Sequence, residues 1–579
     1  MRVQVFTNRK LRRAALKRGK ALTAAAPTST GTEENERGLA AQVAGRHRDA
    51  IKHFTKAIGD SGADAEAHFG IALSWQELGE SEKARHHLSH AVRLGADSIA
   101  MQQAVLDRPA VGARLSRIRA AWPQPLSAAE LFGLAGIAAL ADDALLVGLM
   151  RTFVLCHAEL EHLLTRARML LLGRARENAG ADPAVLAFCC ALAQQCFLNE
   201  YVFACSADET RQAAELRARL ESLIATGGEI APLTVVAVAA YGPLHTLAGA
   251  EVLLDRAWPD SVAELMQPLV REPLDELRDR AAIPILTPIA DRVSREVRAQ
   301  YEDNPYPRWS VAPPVGPGLD NGKPAEEILI AGCGTGKHVI DVAREYPHAR
   351  ILAIDVSLAS LAYARRKTRE AGLHGVDYAQ ADILELGALA RSFDRIESVG
   401  VLHHLADPPA GLRSLLPLLR PDGVMRIGLY SELARAAVVA GRALIAGRGA
   451  PTTADGIRAF RQEIFRLPRA APAAALTAFA DFYSTSGCRD LLFNVMEHRF
   501  TLPQIKALLA ENGLVLHRLV VRPEVMAAFV RRFPDAAATT DLDCWHAFER
   551  ANPTTFLQMY EFEVRKARLS GRQSKSADR

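Results

Sequence analysis

None of the eight cysteines forms a C-x₂-C pair. That spacing builds zinc knuckles and redox dithiols, so neither is expected, and no metal is assigned. Cys189, Cys190, Cys196 and Cys205 sit among helical, apolar neighbours and read as free buried thiols. That suits a reducing, cytoplasmic compartment. An excess of one charge is lacking too. Lys and Arg number 70 against 66 Asp and Glu, a net +4, which gives no bulk nucleic-acid footprint. Long apolar runs are absent. The longest uncharged stretch, residues 230–250, contains Pro232, Gly242, Pro243 and His245. It reads as two buried helices broken at "YGP", not as a membrane span. The first twenty residues carry eight Arg and Lys, no acid and no apolar stretch, which excludes a secretory signal. Residues 1–34 read as a basic solvated tail, with a transit peptide or an anion-binding arm as alternatives. A second basic run, "RKARLSGRQSKSADR", closes the chain.

What the chain does have is a globular balance, with 49% hydrophobic and 23% charged residues over 579 positions, enough for several domains. Gly45, Ala50, Phe54 and Ala57 are matched 34 residues later by Gly79, Ala84, Leu88 and Ala91. That is the period of the tetratricopeptide repeat (TPR). The glycine ends one helix tightly and the alanines allow close helix packing. Residues 35–98 are expected to hold two TPR-like repeats, available to a protein partner. A helical pattern continues over 99–299. "NPYPRW" and a Pro/Gly-rich linker follow, over 300–322.

A glycine loop opens the next region. In "ILIAGCGTGKH", Gly332, Gly334 and Gly336 lie between a β-prone run and a helical one. A P-loop needs four residues between its glycines and Ser or Thr after the Lys. Here there are three residues, and His338 follows Lys337. A dinucleotide loop needs G-x-G-x-x-G, and the third glycine comes one residue early. Downstream, strand and helix alternate. Asp355 ends the second strand in "ARILAIDVS", Asp382 the third in "VDYAQADILEL", and "FDRIESVGVLHHL" and "LRPDGVMRIGLY" read as the fourth and fifth.

G-x-G-x-G with these four strands, over about residues 326–433, resembles class I S-adenosylmethionine (SAM) methyltransferases. The order of TPR-like repeats, helical middle and "YEDNPYPRW" is similar to bacterial TPR-containing methyltransferases. The resemblance implies a Rossmann-like α/β domain over 323–545, doubly wound with a mostly parallel sheet, preceded by an all-α TPR-like domain. Residues 546–579 are left as a C-terminal helix and basic tail. It implies SAM as cofactor, held by Gly332, Cys333, Gly334, Thr335, Gly336, Val356, Ile383 and Val401, with Asp355 on the ribose and Asp382 on the adenine. One departure is Ile330, where the family often carries an acid.

Residues 433–500 interrupt the domain on its substrate-facing side and are expected to form a lid. Their end, "GCRDLLFNVMEHRF", offers Arg489, Asp490, Glu497, His498 and Arg499 as a substrate pocket or as an ion-pair network pinning the lid. Tyr306, Arg308 and Trp309 are candidates for a lid over the cofactor, and Tyr430 for the substrate side. His403 and His404 follow the fourth strand, where histidine is suited to proton transfer. The expected function is SAM-dependent methyl transfer to an unidentified acceptor. The alternative is a TPR scaffold whose SAM-binding domain is inactive. Oligomeric state and acceptor are not legible.

Overall fold

The computed structural model describes residues 30–59, 64–133, 136–311 and 326–567. The two basic tails, apart from their inner ends, and most of the Pro/Gly linker lie outside these residues. The chain divides into two compact units, one of residues 1–272 with 310–314 and one of residues 273–309 with 315–579.

The first unit is helical. Helices Thr30–Val43 and His47–Ile58 form one hairpin, Ala65–Glu77 and Ser81–Arg93 the next. Gly45 and Gly79 end their first helices at φ 72° and 77°. The matched positions Ala50 and Ala84 are fully buried, as are Phe54 and Leu88. The longer helices Ala158–Arg176, Pro183–Leu198 and Ala207–Thr226 follow. After "YGP" the chain makes short 3₁₀ turns, Leu244–Thr246 and Ala250–Leu254, instead of the second helix expected there. Among the described residues, no helix is long and apolar enough to cross a membrane.

The second unit is built on a seven-stranded sheet. Its strands are β1 (Glu327–Ala331), β2 (Arg350–Asp355), β3 (Val376–Gln380), β4 (Phe393–Val399), β5 (Leu419–Tyr430), β6 (Leu514–Leu519) and β7 (Met559–Lys566). The spatial order is β3-β2-β1-β4-β5-β7-β6, parallel except for β7, which runs antiparallel between β5 and β6. Sequence order reverses between β1 and β4, the point at which doubly wound sheets take ligands. Ile328, Leu329 and Ile330 are buried on both faces of β1, as a covered parallel sheet requires.

Both expected domain edges differ from the structure. The sheet does not end by residue 545, because β7 fills the gap between β5 and β6; its Tyr560, Phe562 and Val564 are buried. At the other end the unit begins at residue 273, not 323. Ile285 bridges Gln380 on the outer edge of β3, where the Gln380 amide donates to the Pro284 carbonyl. An open strand edge is thus capped by chain that precedes the glycine loop.

Candidate functional site

One cleft of about 580 Å³ opens at the carboxyl ends of β1, β2 and β4, within the size range of small-molecule sites. Its floor is the glycine loop. Gly332 and Gly334 have φ of +82° and +50°. A Cβ on Gly332 would lie 2.5 Å from Val401, and one on Gly334 would lie 2.9 Å from the Tyr306 carbonyl oxygen. Backbone must approach closely here, and only glycine permits it. Gly336 caps the helix Lys337–Glu345.

Asp355 ends β2 and ties the loop down. Its carboxylate accepts from the Gly334 amide at 2.8 Å and the Ser357 amide at 2.9 Å. Burial pushes its carboxyl up, and the backbone N–H groups of Ser357, Gly334 and Val356 oppose that. Asp382 uses one oxygen on the Leu384 amide, at 3.0 Å. Its other oxygen is buried without a hydrogen-bond partner. Val356, Ile383, Cys333 and Val401 line the same cleft. A tight glycine cradle, a strand-end carboxylate and an acceptor lacking its donor fit a nucleoside-bearing ligand such as SAM. Gly332, Cys333, Gly334, Asp355 and Asp382 are the residues placed to hold it. Thr335 and Gly336 do not line the cleft. The Thr335 hydroxyl is buried and donates to the Pro307 carbonyl.

The segment 301–309 lies against this loop. The Tyr306 hydroxyl donates to Asp481 at 2.9 Å, and the Trp309 indole N–H donates to the Thr335 carbonyl at 3.2 Å. Glu302 accepts from the Leu358 amide at the start of helix Leu358–Glu370. Tyr301, Tyr306 and Pro307 line the cleft, whereas Arg308 and Trp309 do not. The Arg308 guanidinium lies 5.8 Å from the Tyr363 ring centre and Trp309 packs edge-on to the same ring. Neither side chain closes over the cleft as expected; both fasten the segment to the helix that carries Tyr363.

The charged cluster at the end of the insertion also divides. Glu497 is buried against Arg435 at 2.9 Å, with Arg499 at 3.2 Å, so it pins the insertion. The Arg435 guanidinium stacks 3.6 Å from the Tyr430 ring centre. Arg489 donates to the Thr452 carbonyl, and the His498 amide donates to the His403 carbonyl. Of that cluster only Asp490 lines the cleft, with Asp481, also from the insertion, and Tyr430 beside it. Asp481 and Glu561 had no sequence motif to reveal them. Asp481 is pushed up to about 6 by burial and by the charge of Asp490.

The paired histidines have separate places. His403 is fully buried and stacks 3.6 Å from the Tyr430 ring centre, and burial holds its imidazole well below the usual histidine range. It packs and does not face the cleft, so proton transfer from it is excluded by position. His404 does line the cleft, with Nδ1 2.8 Å from the Met496 carbonyl. Among the described residues, no group of three or more His, Cys, Asp or Glu is arranged to hold a metal ion.

A family profile described as "Methyltransferase domain" matches residues 328–423. An uncharacterised protein of Synechococcus sp. is 32% identical over 33% of this chain and 51% of its own. A trans-aconitate 2-methyltransferase of Deinococcus radiodurans is 35% identical over 18% of this chain and 38% of its own. This chain thus spans about half or less of those two relatives. A ubiquinone biosynthesis O-methyltransferase of Methylocella silvestris is 30% identical over 34% of this chain and 74% of its own. With most of that relative's length covered and the glycine loop, Asp355 and Asp382 gathered on one cleft, the chain belongs to the class I SAM-dependent methyltransferases.

Proposed function

We propose that this protein transfers a methyl group from SAM to an acceptor bound in the same cleft. The helical first unit, with its TPR-like hairpins, recruits that acceptor or a protein partner. The observation that carries the reading is convergence. The glycine cradle, the Asp382 oxygen without a donor and His404 all border a single cleft. SAM supplies an electrophilic methyl on a sulfonium. The protein's share is to hold acceptor and methyl in line, exclude water and take up a proton. The cleft has the parts for that. Asp355 fixes the loop, the 301–309 segment covers it, and His404, held through Nδ1 on the Met496 carbonyl, borders the cleft.

The relatives are named for different acceptors, so the acceptor does not follow from likeness. A second reading has one observation in its favour. Ile330 is buried in β1 and lines the cleft where the family often has an acid. A domain that binds SAM without turnover, in a TPR scaffold, would tolerate that loss. The two readings are separated by incubating the full chain with SAM and cell extract. Release of S-adenosylhomocysteine above the level of a heat-treated control supports transfer. SAM binding by calorimetry with no release supports the scaffold.

A further inference from the structure

Among the described residues that line the cleft, two carry a buried polar atom with no hydrogen-bond partner, Asp382 Oδ2 and Ser294 Oγ. Ser294 is 4% exposed. It stands in the first turn of the helix Arg292–Asp303, where the N-cap Asp291 accepts from the Ser294 amide at 2.9 Å. That bond uses the backbone and leaves the hydroxyl over. Val297 and Tyr301 follow at helical spacing and line the cleft too, so one face of this helix forms a wall of it. A buried polar group without a partner is costly, and native proteins keep few of them.

The helix has a direction in the cleft. Shortly before it starts, the Thr287 hydroxyl accepts from the Asp382 amide at 2.8 Å. Near its other end, the Tyr301 hydroxyl donates to Asp490. From Ser294 to Tyr301 is about 10 Å along a helix axis. Ser294 therefore belongs to the Asp382 end of the cleft, and Tyr301 to the end walled by the insertion. The two partnerless groups are complementary in kind. The Asp382 carboxylate accepts, whereas a serine hydroxyl also donates. A ligand edge that shows a donor beside an acceptor satisfies both. Adenine has that edge, an N6–H donor next to a ring nitrogen that accepts.

We propose that the Ser294 hydroxyl donates to a ring nitrogen beside the amino group of the cofactor's adenine, and that Ser294 and Asp382 together select the base. This rests on the methyltransferase reading above. Asp382 comes with the strand pattern, but Ser294 lies 38 positions before Gly332, in chain that precedes the glycine loop. That chain then serves the base twice, through Thr287 on the Asp382 backbone and through Ser294 on the ring. A base with a carbonyl in place of the amino group sets acceptor against acceptor at Asp382 and is rejected. Ser294 adds the second requirement, an unprotonated ring nitrogen.

Calorimetry on the full chain tests this with S-adenosylhomocysteine and its 1-deaza and 7-deaza analogues, in each of which C–H replaces one ring nitrogen. The wild type should bind one of the two analogues about fivefold or more weaker than S-adenosylhomocysteine. Ser294→Ala should lose about the same factor for S-adenosylhomocysteine, and should bind that analogue and its parent to within about twofold. Its apo melting temperature should be unchanged or higher, because alanine buries no hydroxyl. The wild-type series stands by itself if the variant does not fold. Equal wild-type affinities for all three ligands overturn the inference, as does a Ser294→Ala variant that binds S-adenosylhomocysteine like the wild type. An equal loss for all three ligands in the variant also overturns it, since that marks a structural role. A wild type that binds none of them overturns the methyltransferase reading instead.

Discussion

Substituting Gly334 by alanine tests whether the glycine loop and the 301–309 segment are one packed unit. At φ +50° an L-residue costs roughly 1–2 kcal/mol. The added Cβ would stand 2.9 Å from the Tyr306 carbonyl oxygen, a backbone atom that cannot rotate away. Ordinary contact begins at 3.4 Å, so loop or segment must retreat by the difference, 3.4 − 2.9 = 0.5 Å. That retreat loosens the Tyr306–Asp481 and Trp309–Thr335 hydrogen bonds, worth about 1 kcal/mol each. The sum is about 3–4 kcal/mol if both are lost. At about 2–4 °C per kcal/mol for a domain of this size, the second unit should melt roughly 6–16 °C lower. SAM affinity should fall about tenfold or more, since the same loop holds the ligand. Gly372→Ala is the control. Gly372 has φ +65° with nothing within 4 Å of the added Cβ, so it carries the backbone cost alone. Thermal melts and calorimetry on both variants decide the matter. If Gly334→Ala melts like Gly372→Ala and binds SAM like the wild type, the close approach of Tyr306 is not a constraint.

Asp355→Ala removes a carboxylate that accepts two loop amides, and SAM affinity should weaken by roughly 1.5–3 kcal/mol; unchanged calorimetry would sink the assignment. Arg435→Met leaves Glu497 buried with only Arg499 and the more distant Arg442, and a loss of about 3–5 kcal/mol is expected in a urea melt. A loss under about 1 kcal/mol would mean the pair does not pin the insertion. Glu563 is pushed up by burial, but hydrogen bonds from Arg518 and Arg395 outweigh that and hold its carboxyl at about 2. A depressed carboxyl stabilises the fold above its unfolded value near 4.5 and loses that contribution as pH falls toward 2. Melting temperature in Glu563→Gln should therefore depend less steeply on pH across that window, and parallel curves for the two proteins would refute it. Arg308→Ala should lower apo stability with near-normal SAM affinity, because the guanidinium rests on Tyr363; the opposite pattern would return it to the cleft.

Legibility followed sequence distance. Gly332, Gly334, Asp355 and Asp382 lie within 51 positions (332 to 382) and come with fixed spacing, so the pattern alone placed them. Asp481 and Asp490 reach the cleft from an insertion with no motif of its own. Tyr301 meets Asp490 across 189 positions, a pairing that only folding reveals. The charged cluster over 489–499 was visible, but composition does not distinguish an ion-pair core from a pocket wall. Arg435 decided it by burying Glu497. The seventh strand did leave a signal, the alternation Tyr560, Phe562, Val564, which the neighbouring basic run obscured. The segment before the glycine loop was read from its helical period, which says nothing of the sheet edge that Ile285 covers.

The position of β7 sets a timetable for synthesis. Among the described residues β6 pairs only with β7, and β5 offers its outer edge to the same strand. Thirty-nine residues, 520 to 558, separate the end of β6 from the start of β7. At about 5–20 residues per second, the ribosome leaves both edges open for roughly 2–8 s. Open edges of that kind recruit strands from other chains. Crowded polysomes should therefore favour intermolecular pairing over closure. Slowed elongation between codons 519 and 559 would shift newly made protein toward aggregates without changing a single amino acid.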